Sequence, residues 1–92
     1  MKSVLQSTKE CYVCKTVLNL EAHHCLHGAG NRKIADKYGY VVWLCREHHR
    51  GNCGVHFDRG LDLHLKRLGQ AHFEENHGTR EDFIRTFGRS YL

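Results

Sequence analysis

Five cysteines and nine histidines in 92 residues make a dense supply of metal ligands. Their spacing sorts them into sets. Cys11 and Cys14, in CYVC, have the two-residue gap of a zinc knuckle. Cys45 and His48, in LCREHH, repeat that gap roughly thirty residues further on. Zinc takes four soft or borderline ligands in a tetrahedron, and two such pairs carried on two loops supply them. Cys11, Cys14, Cys45 and His48 are therefore the expected structural zinc site. Cys53 is the alternative to His48 as fourth ligand, and Cys25 lies near enough to compete. Read on their own, Cys25 and Cys53 are small, at least partly buried thiols.

The stretch LEAHHCLHGAG, residues 20–30, places two histidines side by side and a third close behind. Adjacent side chains on a strand point to opposite faces. The zinc knuckle ties residue 45 to residue 11, and so brings the 48–56 turn beside the end of a strand over 18–24. His23, facing that turn, can join His49 and His56 around a second, exposed metal ion. His24 then faces the other side, where it would meet a substrate. Phosphodiester hydrolysis needs a divalent ion at the scissile phosphate and a neutral imidazole that takes a proton from water. Histidine suits the second role because its ordinary pKa lies near 6.5. His64, His72 and His77 fall on a later helix or at its end, where packing or solvation explains them.

The elements that must position these residues are legible in outline. Residues 1–9 are polar, and read as a frayed end or an arm. CYVCKTVLNLEAHH reads as the knuckle and a short strand. Residues 25–37, with Gly28, Gly30 and several basic residues, read as a loop holding at most a helical turn. YGYVVWLC, 38–45, is aromatic and β-branched, the strongest strand signal in the chain. It runs into a turn over REHHRGNCGVHFDRG. Leu61, Leu65 and Leu68, followed by Ala71 or His72, recur at helical spacing over 61–77, and Gly78 is a stop. Thr79 with Asp82 three residues on is close to a capping box, Phe83 and Phe87 share a face, and Gly88 ends that helix.

The length fits a single domain over 1–92, with a core at 11–60 and a helical extension at 61–92. A chain of this size buries only about 60–65% of its unfolded surface, so a metal staple helps it fold. MKSVLQSTKE has no apolar segment of the signal-peptide kind, and no run approaches the roughly 20 residues of a membrane span. The expectation is a cytoplasmic protein that touches no membrane, with reduced thiols available to metal. Fourteen basic residues against ten acidic ones leave a net charge of +4, and the pI is about 8.9. That balance is compatible with a nucleic-acid partner.

These residues resemble the HNH endonucleases with a zinc knuckle, over roughly residues 11–60. That family's first strand carries a metal ligand followed by the general-base histidine, which match His23 and His24. Its second signature, leucine, cysteine, two residues, ligand and histidine, matches LCREHH, with Cys45 and His48 on zinc and His49 on the catalytic ion. The whole chain further resembles small phage-type HNH proteins and, more loosely, recombination-dependent HNH nucleases. The resemblance implies an α+β, treble-clef-like ββα-metal fold, and a catalytic ion that is Mg2+ or Mn2+, with Ni2+ or Zn2+ as alternatives. It implies DNA as substrate, a bacterial host's cytoplasm as the setting, and His56 as a further ligand or phosphate contact. It leaves open a phage or recombination partner and the choice between monomer and homodimer. Two positions depart from the pattern. Tyr40 stands where the family's middle asparagine opens the second strand, which leaves open what orients the base: Asn31, Asn52 or a backbone carbonyl. The interval from His49 to His56 is also longer than usual.

Arg32, Lys33 and Lys37 between the strands, with Arg46, Arg50 and Arg59 around the second half-site, would clamp a DNA backbone without reading its sequence. Arg80, Arg85 and Arg89 extend that surface or are simply solvated. Two rival readings use the same knuckle: a non-catalytic zinc module that binds nucleic acid, and a protein–protein adaptor.

Overall fold

The computed structural model describes residues 2–28, 30–52 and 54–92. Cys53, the alternative fourth zinc ligand, lies outside the described residues. The order of elements is β1 (Leu20–His24), α1 (Asn31–Tyr38), β2 (Val41–Cys45), α2 (Arg46–Arg50), α3 (Arg59–Asn76) and α4 (Arg80–Phe87). The fold is α+β: a two-stranded antiparallel sheet with helices around it. Its register pairs Leu20 with Cys45 and His24 with Val41. The knuckle pair Cys11/Cys14 meets the end of β2 because Tyr12 N donates to Trp43 O at 2.9 Å, beside the strand.

Three expectations change. The region read as a loop holds an eight-residue helix, α1. Its sequence hides it, since only Ala35 is buried and glycines flank it at Gly30 and Gly39, both at φ 80°. At Gly39 a Cβ would sit 2.9 Å from Val4 Cγ1, so both the backbone angle and the close N-terminal segment require glycine. That cap shortens the second strand to 41–45. The turn after β2 opens with a further short helix, α2, over the ligand-bearing REHHR. The N-terminal residues also do not fray. Ser3 Oγ donates to Val41 O at 2.5 Å, and Gln6 Oε1 accepts from Trp43 N at 2.9 Å, so they run along β2.

The C-terminal expectations hold closely. Asp58 caps α3 by accepting from Leu61 N, which moves the helix start to Arg59. Thr79 and Asp82 form a complete capping box, and Gly88 ends α4 at φ 100°. The core has two parts. One surrounds the knuckle with Cys25, Val42, Leu44, Val55 and Leu65. The other packs Leu26, Ala35 and Tyr40 against Phe73, Phe83 and Phe87. Gly69 lets α3 approach closely, since its Cβ would lie 3.3 Å from Leu26 Cδ1. Among the described residues, no helix is long and apolar enough to cross a membrane.

Candidate metal centres

Cys11, Cys14, Cys45 and His48 converge with all their ligand atoms within 4.8 Å of one another. Cys14 Sγ lies 3.8 Å from Cys45 Sγ, and His48 Nδ1 lies 3.2 Å from Cys45 Sγ and 3.6 Å from Cys11 Sγ. A tetrahedron with Zn–S near 2.3 Å has edges of about 3.8 Å, so the spacing fits zinc. Burial works against the Cys11 thiolate. Backbone N–H groups of Cys14, Cys45 and Val13 outweigh it and bring the thiol down to about 6. Burial, reinforced by the neighbouring thiols, pushes Cys45 the other way. A cation between them would favour the thiolate of both. The cluster could hold a metal ion such as zinc, and Cys25 stands outside it as a buried thiol raised by burial to about 12.

The second set is His23, His49 and His56, also within 4.8 Å of one another. His23 comes from β1 and His49 from α2. His56 comes from the turn that folds back on α2 when Val55 N donates to His48 O at 2.8 Å. Gly54 permits that fold-back, because a Cβ there would lie 2.8 Å from Gly51 O and 2.9 Å from His49 O. His23 is only 4% exposed, and its Nε2 is buried without a hydrogen-bond partner. Burial, then the charge of His49, His27 and His56, brings its pKa down to about 3, so the ring is neutral and keeps a lone pair. An orphaned buried nitrogen facing two more imidazoles is what a cation would satisfy.

His49 Nδ1 lies 2.8 Å from Glu21 Oε1, which leaves its Nε2 as the free ring nitrogen. Arg50 grips the same carboxylate through Nε at 3.0 Å and through Nη2. Arg50 and then His49 hold Glu21 below the usual carboxylate range. Arg50, expected on DNA, is thus paired with the carboxylate that holds His49 while its side chain stays largely exposed. An ion held by these three side chains, with His56 exposed, would keep coordination positions open.

His24 and Arg32 border the same cavity of about 340 Å³ that overlies the three histidines. His24, expected to face the other side of the strand from His23, therefore borders the same cavity and is partly exposed beside the cluster. Its Nε2 lies 2.8 Å from Asp36 Oδ1, on α1. Asn31 serves elsewhere, donating to Phe87 O at 3.1 Å and so tying α1 to the end of α4. In the sequence nothing marks Asp36, because α1 reads as a loop. His27 is the third histidine of LEAHHCLHGAG. It also borders the cavity, and its Nε2 lies 3.0 Å from Asp62 Oδ1 on α3. Of the expected DNA contacts, the cavity includes Arg32 alone. Lys33 and Lys37 lie exposed on α1, and Arg46 and Arg50 line a different, shallower hollow with Glu47 and Gly51.

Compared with models of known families, with curated proteins and with solved structures, the chain gives no match in any of the three. What it does must be argued from these two clusters.

Proposed function

We propose that the chain is a metal-dependent DNA endonuclease of the HNH type, with a ββα-metal core built on β1, β2 and α3. One observation carries the reading. Three converging imidazoles, one with an orphaned buried nitrogen, share a cavity with a fourth imidazole that a carboxylate holds in place. A structural zinc centre alone needs only the cysteine cluster, and leaves this second set without a purpose.

A divalent cation on His23, His49 and His56 would supply positive charge at the scissile phosphate and the leaving oxygen. With Nε2 donating to Asp36, neutral His24 keeps its lone pair on Nδ1. His24 takes a proton from water as the water oxygen bonds to phosphorus. The P–O3′ bond then breaks and O3′ takes a proton from solvent, leaving a 3′ hydroxyl and a 5′ phosphate. Arg32, on the rim of the cavity, supports the phosphate.

The test is supercoiled-plasmid nicking by zinc-loaded protein with added Mg2+, Mn2+, Ni2+ or Zn2+, beside a folded His24→Ala variant. The wild type relaxes or linearises the plasmid and the variant is slower by at least about a hundredfold. Equal cutting by both removes His24 from the base role. Binding without cutting by either favours the non-catalytic zinc module.

A further inference from the structure

The histidine cavity is the first of three hollows in a row. It shares His27 and His56 with a second of about 130 Å³, which also reaches Arg59 and Asp62. That one shares Arg59 and Asp62 with a third of about 310 Å³, which passes Lys66 and ends at Arg89 and Tyr91. Together they form a furrow from the histidine cluster, across the first turns of α3, to the C-terminal tail.

The furrow is positive. Arg59 and Arg89 are exposed in it, and Asp62, the one carboxylate among the residues lining the last two hollows, is already bonded to His27 and Lys66. The tail that carries Arg89 is anchored. Gln70, fully buried, accepts from Tyr91 N at 2.7 Å and donates to Ser90 Oγ at 2.9 Å, and Arg67 Nε donates to Tyr91 O at 2.8 Å. The Tyr91 ring then gathers two cations, with Lys66 Nζ and Arg89 Cζ each 5.2 Å from its centroid. A buried amide whose partners are the last residues of the chain makes that tail a built feature.

We infer that this furrow is the track for the phosphodiester backbone of one DNA strand as it leaves the histidine cavity. Arg59 and Arg89 contact phosphates, and Tyr91 holds Lys66 and Arg89 in line. Arg59 and Lys66 are two turns apart on α3, about 10 Å. On the opposite flank Arg50 is tied to Glu21, whereas Arg59 in the furrow is exposed and, among the described residues, bonded to no carboxylate. The inference rests on the nuclease reading above and adds the route of its substrate.

Fluorescence anisotropy of a labelled DNA duplex of about 20 base pairs, with full-length zinc-loaded protein, graded KCl and no added catalytic ion, tests it. For Arg59→Gln/Arg89→Gln, binding at 100 mM salt weakens about tenfold or more, and the slope of log K against log salt falls by nearly two. Tyr91→Leu, which keeps the backbone anchors, weakens binding a few-fold. Arg80→Gln, on α4 outside the furrow, leaves it unchanged. An unchanged slope in the double variant, with Arg32→Gln weakening binding, overturns the track and spares the nuclease reading. No binding by the wild type overturns both. A reduced slope in a protein that never nicks plasmid supports the track and removes the nuclease.

Discussion

His24 Nε2 lies 2.8 Å from Oδ1 of Asp36, so a strand residue beside the histidine cluster is held by a carboxylate on the helix that follows. Tyr40, by contrast, packs into the core and lies with its hydroxyl 3.1 Å from His72 Nδ1, so Asp36 is the group that holds His24. On the proposed mechanism, Asp36 is a positioning residue that acts through His24. Asp36→Ala therefore lowers the nicking rate at saturating DNA about tenfold and leaves KM within a factor of two. Asp36→Asn, which keeps an acceptor oxygen, recovers most of the rate. A rise in KM with an unchanged rate would make Asp36 a substrate contact instead.

Glu21 plays the corresponding part for His49, and Arg50 fixes Glu21 in turn. Outer partners of this kind are worth about 10–100-fold in metal affinity. Glu21→Gln weakens Mn2+ or Co2+ binding at the histidine cluster within that range, as read by calorimetry, and does not change zinc content. Arg50→Ala produces a smaller loss of the same kind. If Arg50→Ala leaves metal affinity intact and instead flattens the salt dependence of DNA binding, its expected role on DNA is restored.

Both ligand clusters were legible in the sequence because metal chemistry restricts residue type and spacing together. CxxC followed by LCxxHH leaves few other readings, whereas adjacent histidines fix no element: His23 and His24 lie on β1, and His48 and His49 on α2. The supporting groups were not legible. Glu21, Asp36 and Asp62 are ordinary surface carboxylates in a one-dimensional reading, and each acquires meaning only through a partner twelve or more residues away. Helix α1 escaped because its burial is slight and its ends are glycines, so its sequence looks like a loop. The capping box of α4 was visible because that device is local.

The cysteine cluster joins the knuckle to the end of β2, and losing an ion held there would destabilise the protein. Cys14→Ser alters the exposed ligand without disturbing the core. Zinc content by elemental analysis falls from one per chain towards zero. The melting temperature drops by more than about 10 °C, since zinc contributes several kcal/mol to so small a domain. Cys25→Ala, fully buried but outside the cluster, keeps its zinc and loses only packing. The reverse pattern would place Cys25 among the ligands.

Gly54 sits where the turn crosses back over α2. An alanine Cβ there would press on backbone atoms of Gly51 and His49 at 2.8–2.9 Å, which cannot swing aside. Gly54→Ala destabilises the fold by about 1–3 kcal/mol in urea unfolding. It also displaces His56 from His49, so divalent-ion affinity at the histidine cluster falls while the zinc stays. Preserved ion affinity in a destabilised Gly54→Ala protein would remove His56 from the ligand set.

His23 sets the acid stability of the site. Its folded pKa is depressed to about 3 by burial first and by the facing imidazoles second, against 6.5 for the ordinary group. The unfolded chain therefore binds a proton between those values that the folded chain refuses. Stability from this residue is fully present above pH 6.5 and is lost as pH falls towards 3, by about 3 kcal/mol at pH 4. His23→Leu removes both the titrating ring and the orphaned nitrogen. Urea unfolding of the two proteins without added divalent ion, from pH 7 to pH 4, isolates the difference, because loss of zinc at the cysteine cluster is common to both. The wild type loses more stability than the variant across that window. Parallel curves would mean that the ring is already solvated, and would take away the orphaned nitrogen on which the second metal site depends.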